Sequence, residues 1–209
     1  MGCISLRRVQ FIAPPKQKLR NLRGELLSDL DSSTFRRYAL FALFLLLFLG
    51  CGRVVPFTPS SQRVEEVEKM LQSLKPTPEP KEVVRLTHDL FRETAHLTKA
   101  FNLTSPPWFH NILVNTGIRQ KGLCYHWSDT LYLYLKKQHY QGFSFHLAGA
   151  NIGSCLKEHN ALVITSRVGS FKEGVVVDPW RNSGELFLSP LAQDPSYTWV
   201  HRPKRELKR

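Results

Sequence analysis

The chain lacks the paired C-x-x-C or H-x-x-x-H spacings that zinc sites use, so its spacings favour no metal site and no cofactor is expected. It has no internal repeats and no low-complexity tracts. Arg-Gly and aromatic nucleic-acid signatures are missing too, and nucleic acid is not an expected partner. Acidic residues are few: 17 against 29 Lys and Arg, for a formal charge of +12. That balance favours anionic partners such as lipid headgroups or acidic polymers, although a solvated basic surface satisfies it equally. Apolar residues are not in short supply. At 42% they allow a real core and exclude the composition of a disordered chain, and 209 residues suit one domain plus extras.

There is one long apolar run, YALFALFLLLFLG, from Tyr38 to Gly50, with Arg36 and Arg37 ahead of it. A helix rising about 1.5 Å per residue over this run falls well short of a hydrocarbon core of about 30 Å. The length suits the apolar region of a secretory signal, and a short uncleaved anchor is the alternative. Its end, FLGC, resembles a bacterial lipobox, with Phe48 in place of the usual leucine. The resemblance implies cleavage before Cys51 and lipidation of its sulfur. Gly52 in the next position implies sorting to an outer membrane, with the protein facing the periplasm. The opening MGC is a poor myristoylation site, because Leu6 stands where Ser or Thr is needed. The expected divisions are a basic N-terminal region (1–37), a signal or anchor segment (38–51) and a tether with a short helix (52–80). A main domain (81–200) and a basic tail (201–209) follow.

Within that frame, VEEVEKMLQSL reads as a short helix with Val64, Val67 and Leu71 on one face. Lys81 to Phe101 carries a second helical stripe through Val83, Leu86, Leu90, Leu97 and Phe101. The segment FHNILVNTG is ambiguous, with a further short helix closing at Gly117 as one reading. From Cys124 to Lys137 the apolar spacing of Cys124, Trp127, Leu131 and Leu135 predicts a helix that begins at the cysteine. Short β-prone runs then succeed one another: FSFHLAGA, HNALVITSR, GVVVDPW and ELFLS. Helices first and strands later predict an α+β fold, with an antiparallel β-sheet packed against the cysteine helix.

Three residues take chemically useful places in that arrangement. Cys124 opens a helix, His159 opens a strand, and Asp178 ends one. A thiol attacks as thiolate, a form that a helix N-terminus and a neighbouring imidazolium both favour. A carboxylate behind the imidazole fixes its tautomer and orientation. Taken singly, each has an ordinary use: a small buried hydrophobe, a polar strand end, an Asp-Pro turn.

The order of Gly122, Cys124, His159, Asp178, Pro179 and Trp180 resembles the transglutaminase-like branch of the papain-like cysteine enzymes, over roughly residues 81 to 190. The resemblance implies a papain-like or transglutaminase-like core, with Cys124 as nucleophile, His159 as acid and base, and Asp178 orienting His159. Proteases, amidases and amide-forming acyl transferases all belong to this branch. One departure is NALVIT after the histidine, where many relatives place an aromatic residue two positions on. The Cys124 backbone N–H would serve an oxyanion, and Gln120, just upstream, is the side-chain candidate.

The expected activity is therefore that of a lipid-anchored cysteine enzyme of the bacterial envelope. It would cleave or exchange amide bonds in a protein, peptide or peptidoglycan-type substrate through a thioester. Hydrolysis is the simpler outcome, because water needs no second binding site. Three rivals stand beside it: a Cys124–Cys155 disulfide, a metal site of Cys124, His126 and His159, and a non-catalytic envelope module that binds or assembles partners.

Overall fold

The centre of the sheet is β2 (His159–Ser166), buried at all eight positions, and the other elements are arranged around it. A computed structural model describes residues 35–42 and 52–206. Residues 35–42, in the N-terminal unit, are helical. Cys51 and most of the 38–51 segment lie outside the described residues, and with them the lipidation site. Among the described residues no helix is long and apolar enough to cross a membrane.

The second unit, from Gly50 onward, is a mixed α+β structure. Its helices come first: α1 (Ser61–Gln72), α2 (Pro80–Ala100), α3 (Pro107–Asn115) and α4 (Cys124–Lys136). Local chemistry sets their starts. The Ser60 hydroxyl accepts the Arg63 N–H at 3.2 Å, while Pro80 and Pro107 occupy first-turn positions where a missing N–H costs nothing. The expected helical stripes are buried, with Leu86, Leu90, Leu131 and Leu135 fully enclosed.

Five strands follow as one antiparallel sheet: β1 (Phe143–Ala150), β2, β3 (Val175–Val177), β4 (Leu188–Pro190) and β5 (Val200–His201). Their spatial order is β4-β3-β2-β1-β5. β1 and β2 pair along their whole length, from Phe143 opposite Ser166 to Ala150 opposite His159. Alternation along the strands feeds two cores. Leu147, Leu162, Ile164, Val175 and Val177 pack with the helices, and Ala148, Ala150, Ala161, Val163 and Val176 pack with Trp199 on the other face. The pairing of Leu162 with Val177, extended by one residue, sets Asp178 opposite Ala161 and makes it the diagonal neighbour of His159.

Two stretches differ from the sequence-based divisions. The tether is part of the main unit: Val54 N–H donates to Leu103 O at 2.9 Å, and Ser105 N–H donates to Gly52 O at 2.9 Å. Helix α1 buries Val67 and Leu71 completely in the same core, because an amphipathic helix this short needs a surface to cover its apolar stripe. Residues 201–206 of the basic tail are structured as well. His201 belongs to β5, and α5 (Pro203–Glu206) docks on the sheet through Arg202 N–H to Leu147 O at 2.8 Å.

Candidate active site

Cys124 is the first residue of α4, and the loop before it is held on two sides. His110 is fully buried; its Nδ1 accepts the Thr104 N–H at 3.1 Å, and its Nε2 donates to Lys121 O at 2.9 Å. Burial lowers the His110 pKa, in keeping with a neutral ring that donates at one nitrogen and accepts at the other. Gly122 lies directly on this ring. Its φ is +125°, and a Cβ there would stand 2.1 Å from His110 Nε2, so only glycine fits. On the helix side, His126 Nδ1 accepts the N–H groups of Gly122 and Leu123, both at 3.2 Å. A side chain inside the first turn thus takes up two backbone donors at the entry to the helix.

His159 reaches the same place from the start of β2. Its Nε2 lies 2.7 Å from Asp178 Oδ2, and both side chains are almost completely buried, at 3% and 1% exposure. Trp180 and Tyr197 close on the imidazole with ring centroids at 4.7 Å, and Trp199 at 5.5 Å. Burial disfavours the charged ring, but the hydrogen bonds to Asp178 and to the Cys124 thiol outweigh it and raise its pKa to about 9. With Nε2 committed to Asp178, Nδ1 is the nitrogen left for the sulfur.

The next residue on β2 points the other way and meets the sulfur from the helix side. Asn160 Nδ2 donates to Cys124 Sγ at 3.8 Å, and Asn160 Oδ1 accepts from Arg205 of α5. Arg205 in turn donates to Asp129 of α4 at 2.5 Å, so the amide is oriented by the C-terminal helix and the cysteine helix together. Behind the carboxylate stands a second brace. Arg181 Nε donates to Asp178 Oδ2 at 3.0 Å, and its two terminal nitrogens grip Asp194 at 3.0 and 2.8 Å. Although burial opposes ionisation of Asp194, Arg181 holds its carboxyl down to about 2. Trp180 Nε1 donates to Asn111 Oδ1 at 3.0 Å, tying the residues after β3 to α3.

Cys124 opens onto two clefts. One, of about 410 Å³, is lined by Asn115, Tyr125, Cys155, Leu156 and Asn160 among others. The other, of about 310 Å³, runs past Asn151, Leu156, His159, Trp180 and Tyr197. Asn111 and Leu156 border both.

Of the sequence-derived candidates, Cys124, His159 and Asp178 come together. Gln120 does not join them: it is exposed and lines a separate cleft with Asn102, Ile118 and Arg119. The His110 clamp acts at Lys121 and Gly122, so being four residues from Cys124 in sequence does not bring Gln120 to the sulfur. Cys124 and Cys155 both carry free thiols, although they share a cleft. His126 Nδ1 faces the backbone, and among the described residues the set close enough to share a cation is His146, His201 and Glu206 instead.

Sequence inspection missed Asn160, Arg181, Asp194, Arg205 and His110. Asn160 carried a signal by adjoining His159. For the others no spacing rule exists: the partners of Arg205 lie 45 and 76 residues away, those of His110 lie 6 and 11, and Arg181 spans 3 residues to Asp178 and 13 to Asp194. No family model, curated protein or solved structure matches the chain.

Proposed function

We propose that the protein is a cysteine enzyme acting on amide bonds, with a transglutaminase-like core. Cys124 is the nucleophile, His159 the acid and base, and Asp178 the residue that orients His159. What carries the reading is the buried His159–Asp178 pair at 2.7 Å, whose imidazole also meets the thiol at the mouth of α4. A structural histidine needs no carboxylate behind it and no cysteine before it.

In this mechanism the Cys124 proton passes to His159 Nδ1, and Sγ attacks the amide carbonyl. The Cys124 backbone N–H and Asn160 Nδ2 stabilise the oxyanion. The imidazolium returns its proton to the leaving amine as the C–N bond breaks, and a thioester remains. Water, deprotonated by His159, attacks the thioester; the acid leaves and the thiol reforms. An amine in place of water gives acyl transfer, and the two clefts that meet at Cys124 offer a place for either product half. The substrate class is a protein, peptide or peptidoglycan-type amide. The envelope setting rests on the lipobox-like FLGC, and Cys51→Ser is expected to release the protein from membranes or leave its precursor uncut.

Iodoacetamide labelling followed by mass spectrometry tests the chemistry, with exposed Cys155 as an internal reference thiol. Labelling of Cys124 should outpace Cys155 at pH 6 and fall at least about tenfold in His159→Ala, since an imidazolium favours the reactive thiolate. Labelling that matches Cys155 and ignores His159→Ala would make the domain a binding module rather than an enzyme.

A further inference from the structure

The sheet and α5 also carry a group of ligating side chains that the mechanism does not use. His146 lies on β1, His201 on β5 and Glu206 on α5. We propose that these three form a two-histidine, one-carboxylate site for a zinc-class divalent cation, which fastens α5 to the sheet.

One ligand atom from each residue lies within 4.8 Å of the others. Glu206 Oε1 is 2.8 Å from His201 Nε2 and 3.9 Å from His146 Nδ1. Ligands at about 2.1 Å in a tetrahedron stand roughly 3.4 Å apart, so the two separations bracket the required edge and small side-chain rotations suffice. The rings are already aimed. His146 Nε2 lies 3.2 Å from Thr165 Oγ1, which leaves Nδ1 turned toward the carboxylate. A metal-binding histidine typically has its other nitrogen hydrogen-bonded in this way. Phe171 stacks on the His201 ring with centroids 4.8 Å apart and planes 17° from parallel. Glu206 Oε1 also accepts the Leu147 N–H at 2.8 Å, which fixes the carboxylate against the strand.

Two imidazoles and one carboxylate are the donor types that zinc accepts, and a fourth position is available. His146 and Glu206 border a cavity of about 500 Å³, where Lys136 and Arg167 also stand. Those cations suit water or an anion as the fourth ligand. His201 Nε2 and Glu206 Oε1 are hydrogen-bonded at 2.8 Å, the contact that a shared cation would replace. The four-residue α5 has no helical stability of its own, so the cation would supply what local structure lacks. This inference stands apart from the proposed chemistry at Cys124.

The test is titration of the full-length protein, carrying Cys124→Ser, with Co2+ and then Zn2+. One equivalent of Co2+ should give visible d–d bands without sulfur-to-cobalt charge transfer, and Zn2+ should displace it and raise the melting temperature. Glu206→Gln, which still accepts the Leu147 N–H, should weaken binding by at least about 100-fold, and Thr165→Val by about tenfold. If circular dichroism finds Glu206→Gln misfolded, His201→Ala replaces it. The proposal is overturned if no cation binds, if charge transfer places it on a thiolate, or if a folded ligand variant binds as wild type does.

Discussion

Nε2 of His159 stands 2.7 Å from Oδ2 of Asp178, with neither side chain reaching solvent. An imidazolium held in this way ties stability to pH. In the fold its pKa is raised to about 9, against about 6.5 for an unfolded histidine. Between those values the folded chain holds a proton that the unfolded chain has lost, so stability falls as pH rises. The contribution is complete below about pH 6.5 and gone above about pH 9. Thermal melts of wild type should therefore decline across this window, and Asp178→Asn should flatten the slope. Equal slopes in the two proteins would remove the pairing from the account.

Asn160 links the sulfur to the C-terminal helix, and its loss should be felt at Cys124. Asn160→Ala is expected to slow alkylation of Cys124 at pH 6 by about tenfold, the worth of one hydrogen bond to a charged sulfur. Arg205→Ala should slow it less, because the amide remains but is free to turn. The double variant should be no slower than Asn160→Ala alone, the non-additivity expected of one connected chain.

Gly122→Ala combines a left-handed φ with a direct overlap on His110. The expected cost is about 3 kcal/mol, read as a lower denaturation midpoint. Adding His110→Ala relieves the overlap but not the backbone strain. The pair should therefore fall short of the sum of the two single losses.

Arg181 sits between two buried carboxylates, so its removal leaves Asp194 without its counter-charge and Asp178 with His159 alone. Arg181→Ala should destabilise the fold by roughly 3 to 5 kcal/mol in urea unfolding. Arg181→Lys is expected to recover only part of this, because a single ammonium cannot repeat the two-pronged grip on Asp194.

Much of the architecture is legible in the chain because it is written at short range. The apolar spacing Trp127, Leu131, Leu135 predicts α4 and its buried face, and the β-prone runs at 143–150 and 159–166 match β1 and β2. The tether and tail are less legible for a common reason. Residues 52–60 and 201–206 have little periodicity of their own, and their order comes from bonds to Leu103, Thr104 and Leu147, which are far off in sequence.

At the candidate site the division is sharper. Residue type and local position alone put a cysteine at a helix mouth, a histidine at a strand start and an aspartate at a strand end. Strand register then decides what they touch. With Leu162 opposite Val177, Asp178 becomes the diagonal neighbour of His159, whereas a one-residue slip would turn one of them to the opposite face. Other contacts place the rest: the docking of α5 brings Arg205 to Asn160, and the pairing of β1 with β5, Ala148 opposite His201, gathers His146, His201 and Glu206. Sequence fixes periodicity because that is a property of neighbours; which distant side chains meet depends on how the sheet and its flanking helices close.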